Sequence, residues 1–356
     1  MSEHRFFHIV AGTEPRRLAK CEHALAAIGA EGYVWLDFFN PAKEDLGVLV
    51  DALGLHPLSI DDCFDDEQIP KVDVLPTNTF ILFNDWSYEG QQLAIDEVDF
   101  FLGKSFLVSV HRNDAGRRVI GPNIDNAVRL AWEDVRRGPD FLLHVILDCI
   151  VDDKFRALEL VQEELDVVEE SIIEDPTRFR PEVLLRLRRR LLGLRKSLFH
   201  ERELLVRLCR RDSPFISEKA VYHYRDIYDH LSRFFEVAEI SREMVSSHME
   251  MYLSLVNNRM TLIANQTNRV MKRLTWVNTI FMPLTLLAGI GGMSEWSMMT
   301  GTENWRIAYP AFLLLMAALG AVNFYVLRLV DHRAEAAEDE PAAEPAPRDH
   351  AGRPRS

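Results

Sequence analysis

Ten residues between Asn257 and Gly289 recur at alternating steps of four and three: Asn257, Thr261, Ala264, Asn268, Met271, Thr275, Asn278, Met282, Thr285 and Gly289. On a helix that spacing puts them on one face. The face is small, polar and uncharged. If several copies surround an axis, each residue becomes a ring. Asn268, Thr275, Asn278 and Thr285 then offer neutral oxygens to water or to a hydrated ion, and Met271 and Met282 form apolar constrictions that gate by dewetting. Asn and Thr also cement helix packing inside membranes, and periodicity alone leaves the pore and packing readings open.

Other clusters carry less chemistry. Asp61-Asp62 and Asp65-Asp66 form the densest acidic group, for which a solvated helix end outweighs a metal site. His223 and His230 are seven residues apart, too far to share one metal. His248 and Glu250 do not share a helix face. The sequence has no Walker motif and no nucleophile elbow. An ATP-driven pump is therefore not expected, nor is an enzyme; a metal-dependent hydrolase built on Asp61 to Asp66 lacks a placed base or nucleophile.

The element that must position the polar face is unusually long. From Phe215 to Met282 there is no Pro and no Gly, which predicts one helix of roughly 100 Å. A helix of that length is a coiled coil, a membrane span or both. A second seam, Met249, Leu253, Val256, Met260, Ile263, Thr267, Val270 and Leu274, is apolar and coiled-coil-like. Residues 275–294 are uncharged over the length that a bilayer core requires, and 307–328 predict a second span. Lys272 and Arg273 precede the first span, and Arg328 and Arg333 follow the second. The connecting loop, 295–306, carries Glu295 and Glu303 with Arg306 as its only basic residue. The positive-inside rule then places the loop outside and both termini in the cytoplasm. Trp296, Trp305 and Tyr309 fall where interfacial aromatics belong.

The remainder is expected to be cytosolic. The chain has 41 basic and 55 acidic residues, a formal net charge of −14, which argues against a nucleic-acid partner and suits a protein that collects cations. Four cysteines, Cys21, Cys63, Cys149 and Cys209, lie far apart, as in a reducing cytosol. Residues 1–140 alternate short β-rich runs (His8–Val10, Tyr33–Leu36, Phe80–Phe83, Val98–Val110 with a turn at Gly103-Lys104) with helical ones (Ala42–Leu53, Ile124–Arg137), an α/β or α+β domain. Residues 141–212 read as an antiparallel hairpin of an acidic and a basic helix paired by charge. The stalk occupies 213–274. The Ala-, Glu- and Pro-rich end, 329–356, reads as a disordered cytoplasmic tail.

Several stretches resemble one family. Asn268-Arg269-Val270-Met271-Lys272-Arg273-Leu274-Thr275, Ile280-Phe281-Met282-Pro283-Leu284-Thr285 and Ala288-Gly289-Ile290 are similar to the first membrane helix of the CorA family of divalent-cation channels. Trp305-Arg306-Ile307-Ala308-Tyr309-Pro310 resembles the start of its second span. His56-Pro57-Leu58, Gln68-Ile69-Pro70-Lys71-Val72 and Arg225-Asp226-Ile227-Tyr228-Asp229-His230 match family patterns upstream. The resemblance implies a funnel-shaped homopentamer in the plasma membrane, the inner membrane of a bacterium. Its α+β cytosolic domain joins a long helical stalk and two C-terminal transmembrane helices. The resemblance also favours the pore reading, with Asn268, Met271, Thr275, Asn278, Met282, Thr285 and Gly289 lining it.

At the pore mouth the chain departs from the family. Gly292-Met293-Ser294 stands where the hallmark is Gly-Met-Asn. Mg²⁺ sheds water reluctantly, so a selective mouth reads its hydration shell with neutral oxygens. Ser294 keeps an oxygen but is shorter and lacks the amide, which weakens Mg²⁺ selectivity more than divalent transport. Glu295 and Glu303 concentrate cations near the mouth or serve only solubility and topology. The resemblance further gives Asp226 a regulatory role, in which intracellular Mg²⁺ bridges acidic groups and favours closure.

The expected function is a passive divalent-cation channel carrying Mg²⁺, or Co²⁺ or Ni²⁺, with no cofactor beyond the transported or regulatory ion. Alternatives are a Zn²⁺ transporter of the ZntB type, for which no intramembrane Asp, Glu or His offers a proton relay, and a non-conducting scaffold or sensor of the same fold.

Overall fold

The computed structural model describes residues 3–65, 68–89, 92–113, 118–292, 301 and 304–338. The chain divides into two compact units, Met1–Val256 and Asn257–Ser356.

The first unit is built on one sheet. Strands β1 (Glu3–Ile9), β2 (Arg16–Leu18), β3 (Tyr33–Phe39), β4 (Lys71–Val74), β5 (Asn78–Glu89), β6 (Gln92–Gly103) and β7 (Phe106–His111) lie in the order β2-β1-β3-β7-β6-β5-β4. β3 and β7 run parallel, and the other neighbours are antiparallel. Side chains alternate across a strand, so a run that is apolar at every position must be covered on both faces. β5 shows this: Ile81 and Phe83 enter one core, Phe80 and Leu82 the other. β3 is buried at every position.

Helices α1 (Cys21–Ala26), α2 (Lys43–Leu53) and α3 (Pro57–Asp62) cover one face. Helices α4 (Pro122–Leu130), α5 (Trp132–Val135), α6 (Pro139–Glu174), α7 (Glu182–Cys209) and the start of α8 (Val221–Gly291) cover the other. α2 stops at Gly54, whose φ of 66° is the left-handed cap that glycine adopts most easily. The Thr77 hydroxyl donates to its carbonyl at 2.6 Å.

Four short elements, β2, α1, α3 and β4, lie outside the sequence expectation, because three to six residues are too few to display a period. The helix expected over 124–137 is broken at Ala131 (φ −89°, ψ 24°), which turns Trp132 against the core. The long helix begins at Val221, not Phe215. Ser217 forms a turn of its own there: its hydroxyl accepts the Ala220 amide at 3.3 Å, and its amide donates to Asp140 at 3.0 Å.

The α6–α7 hairpin is held mainly by apolar packing. Leu158, Val161, Leu165, Val168 and Ile172 of α6 and Leu184, Leu187, Leu191, Leu194 and Leu198 of α7 are all buried. Charge contributes at Arg190–Glu164 (2.8 Å) and at a fully buried Lys154–Glu201 pair whose ammonium sits 3.9 Å from the centre of the Phe83 ring. Arg186, Arg188 and Arg189 face solvent. Tyr224, Ile227, Leu231, Phe234, Ala238, Ser241, Val245 and His248 dock α8 by a heptad-spaced stripe.

On β6, Glu97 and Asp99 share one side of the strand, and Asp99 is 2% exposed with one carboxylate oxygen lacking a hydrogen-bond partner. Burial pushes the Glu97 carboxyl up to about 7 against the opposing pull of Arg112. Burial and the charge of Glu97 raise Asp99 as well. An acid raised by folding binds its proton in the native chain where the unfolded chain has released it. Stability therefore falls as pH rises from about 4.5 to about 7. Glu97→Gln should flatten that slope and raise the melting temperature at pH 8. A wild-type pH profile of melting in the variant would show that Glu97 is not the titrating group.

The second unit pairs two helices long and apolar enough to cross a membrane, the end of α8 and α9 (Trp305–Glu338). The less exposed positions are Trp276, Ile280, Pro283, Leu284, Leu287 and Gly291 on α8, and Ala308, Phe312, Met316, Gly320, Asn323 and Leu327 on α9. A Cβ added at Gly320 would meet Leu284 at 3.6 Å, and one added at Gly291 would meet Phe312 at 2.8 Å, so the helices run antiparallel. α9 continues past the expected end of the span at Arg328 to Glu338. Ala334, Ala336 and Ala337 are strong helix formers, and they carry helix into the segment expected to be disordered.

Candidate functional site

The polar face of α8 lies on the side away from α9. At 100° per residue, Asn278, Met282, Thr285 and Gly289 cluster roughly opposite Leu284 and Gly291. Asn268, Met271, Thr275, Asn278, Met282, Thr285 and Gly289 are all exposed, Met282 at 77% and Met271 at 58%. Among the described residues, nothing else in the second unit covers this face. An open groove of about 850 Å³ runs along it, lined by Asn278, Met282, Thr285 and Gly289 with Phe281 and Leu286. A Cβ at Gly289 would touch nothing within 4 Å.

The threonines show what the face can do. Thr275 Oγ1 donates to the Met271 carbonyl at 2.9 Å, and Thr285 Oγ1 donates to the Phe281 carbonyl at 2.7 Å. With its proton committed to the backbone, each hydroxyl presents only lone pairs outward. A row of such oxygens accepts hydrogen bonds from water and attracts cations without introducing a formal charge. Gly292 continues the line just beyond the helix end, its amide bonded to the Ala288 carbonyl at 3.0 Å. Met293, Ser294, Glu295 and Glu303 lie outside the described residues.

A second cluster forms in the first unit. One ligand atom each from Asp148 on α6 and from Asp226 and His230 on α8 lies within 4.8 Å of the others. Asp226 and His230 are one helical turn apart and share a face; Asp148 reaches them from the neighbouring helix. Burial, then the charge of Asp152, raises the Asp148 carboxyl above its ordinary range. Two carboxylates this close repel each other, and a divalent cation between them would relieve that repulsion. Nearby, the rings of His144 and His223 are 4.8 Å apart. Burial and His223 push His144 down to about 4.

Asp226 was legible as a candidate, whereas Asp148 and His230 were not. The i, i+4 relation of Asp226 to His230 is the local signal that joins those two; Asp148, on another helix, has none. The Asp61–Asp66 group is engaged by basic side chains: Asp61 pairs with Lys43 at 2.6 Å and Asp62 with Lys71 at 2.7 Å. Asp66 lies outside the described residues. His248 pairs with Glu169 at 3.4 Å.

Comparison with known proteins identifies the family. The family described as CorA-like Mg²⁺ transporter protein matches residues 30–329. The cobalt/magnesium transport protein CorA of Thermotoga maritima is 33% identical over 292 residues, which cover 81% of this chain and 80% of that one. Among solved structures, the CorA magnesium transporter of Methanocaldococcus jannaschii superposes with a TM-score of 0.65 at 23% identity, over 93% of this chain and 97% of that one. The cytoplasmic domain of ZntB from Vibrio parahaemolyticus gives a TM-score of 0.56 at 12% identity over 71% of this chain and 98% of that domain, a likeness of fold alone.

Proposed function

Because the chain belongs to the CorA-like Mg²⁺ transporter family, whose members are transporters and not enzymes, we propose that it passes divalent cations down their electrochemical gradient through a homopentameric pore lined by the polar face of α8. The observation that carries this reading is the uncovered row of Asn and Thr oxygens on the side of α8 away from α9. Such a row in a span normally faces a bundle interior or a water path, and further copies of α8 would cover it. A dication gains about 4.6 kcal/mol on inward movement at 100 mV, twice the single-charge value, so no chemical fuel is needed. Mg²⁺ and Co²⁺ are the favoured cargo, by analogy with the Thermotoga relative named for both.

In this reading α8 and α9 cross the plasma membrane with both termini cytoplasmic, the Lys272-Arg273 pair and Arg328 marking the inner side. Gly292-Met293-Ser294 forms the mouth, where the Ser294 hydroxyl stands in for the hallmark amide, and Glu295 and Glu303 enrich cations beside it. Intracellular metal held by Asp148, Asp226 and His230 favours closure. The oxygens suit Mg²⁺ with part of its water shell, and the imidazole nitrogen adds affinity for Co²⁺, Ni²⁺ and Zn²⁺.

The test is flux into proteoliposomes of the purified full-length protein, comparing Mg²⁺, Co²⁺, Ni²⁺ and Zn²⁺ under a negative-inside potential and then under a pH gradient. Potential-driven entry of Mg²⁺ or Co²⁺ is expected. Zn²⁺ entry without Mg²⁺ entry would move the chain to the ZntB type, and an intact oligomer that passes none of the ions would leave only a scaffold or sensor.

A further inference from the structure

Leu284 meets Gly320, and Gly291 meets Phe312. The two meeting points are seven residues apart on α8 and eight apart on α9, or about 10–12 Å along each axis. They differ in tightness. At Gly320 the added Cβ would make ordinary contact, 3.6 Å from Leu284. At Gly291 it would fall 2.8 Å from Phe312 Cζ and 3.2 and 3.3 Å from the two Cε atoms. Real Cβ atoms do not approach a ring carbon that closely, so the seat of Phe312 exists because residue 291 lacks a side chain.

Gly291 is also the last residue of α8, and Gly292 follows it. A helix end made of two glycines has no side chains of its own to brace it and carries the highest backbone freedom. The brace comes from α9: the Phe312 ring rests on the back of this end, on the side away from the polar face. Gly292, exposed and bonded through its amide to the Ala288 carbonyl, ends the line of the polar face. A shift of the ring therefore moves the outer end of that face.

Resting on the pore reading above, we propose that Phe312, seated in the space left by Gly291, positions the end of α8 and so sets how the outer end of the polar face discriminates among divalent cations. Phe312 is a positioning residue that need not touch the ion. Its effect belongs in the ratio of fluxes rather than in assembly.

The experiment measures Mg²⁺ and Co²⁺ flux into proteoliposomes for purified full-length variants, each normalised to intact oligomer. Phe312→Ala removes the brace and Gly291→Leu expels the ring; each should change the Mg²⁺:Co²⁺ flux ratio at least about threefold. The double variant Gly291→Leu/Phe312→Ala, which exchanges the bulk across the contact, should return the ratio to within about twofold of wild type, the coupling expected of residues in contact. A wild-type ratio in Phe312→Ala overturns the proposal, and so does a double variant no closer to wild type than its parents. If Gly291→Leu fails to assemble, Phe312→Ala, which only creates space, decides by its ratio alone. Asn278→Leu, run alongside, separates the two levels: its loss of flux with an unchanged ratio in Phe312→Ala rejects the brace and keeps the pore, whereas wild-type flux in Asn278→Leu rejects the pore itself.

Discussion

Asn278→Leu is expected to lower divalent-cation flux at least about tenfold while the oligomer and its melting temperature stay near wild type. Asn278 lies in the uncovered groove on α8, between the oxygens of Thr275 and Thr285. Leucine matches its reach but presents no lone pair, so in the proposed pore a ring of leucines would extend the apolar constriction of Met282 by one turn and disfavour water in the path. Only about 1.4 kcal/mol of added barrier gives the tenfold loss. The side chain is exposed and opposite the α9 contact, so the packing of the second unit has no stake in it. Flux assays and the mass of the solubilised oligomer check both halves, and undiminished flux would remove Asn278 from the path.

Under the proposed regulation, Asp226→Ala should relieve inhibition by internal metal, raising the concentration for half-closure at least about tenfold, because it removes one of three candidate ligands. Thermal unfolding gives an independent reading. A ligand that binds only the native state stabilises it by about 2.7 kcal/mol at a hundred times its dissociation constant. Wild type should therefore melt later as Mg²⁺ or Co²⁺ is added, and Asp226→Ala should not. Asp148→Asn sharpens the test. It removes a carboxylate held above its ordinary range by burial and by Asp152, so the metal-free protein should gain stability while the metal-dependent increment disappears. His230→Ala should weaken the response to Co²⁺ and Ni²⁺ more than that to Mg²⁺, which prefers oxygen ligands. An unchanged melting response to metal in Asp226→Ala would take this cluster out of regulation.

Local signals made much of the architecture legible. The two spans show as membrane-length uncharged segments, and the polar face shows as a four-three spacing along one helix. Both depend only on residues near each other in the chain. β5 and β6 were readable because apolar residues bounded by turns are strong over that length, and the break at Gly103-Lys104 separates β6 from β7. Elements of three to six residues were not readable, nor was the capping turn at Ser217, whose amide is fixed by Asp140 from a distant helix. At the hairpin the charges of α6 and α7 were legible and do pair, at Arg190–Glu164 and Lys154–Glu201. The buried apolar seam between the two helices, which lies beside those pairs, is the part the charge pattern does not record.

By itself, the sequence determined that this chain carries two candidate spans, a long helix leading into the first, and a polar line running along that helix into the span, because length, hydropathy and helical period are properties of contiguous residues. Only the tertiary structure decided which way that line faces, that Asp148 joins Asp226 and His230, and that the Phe312 ring occupies the place of a side chain at Gly291. Each of these is a contact between helices distant in sequence. Their register follows from the summed packing of whole apolar faces, and no local motif records it.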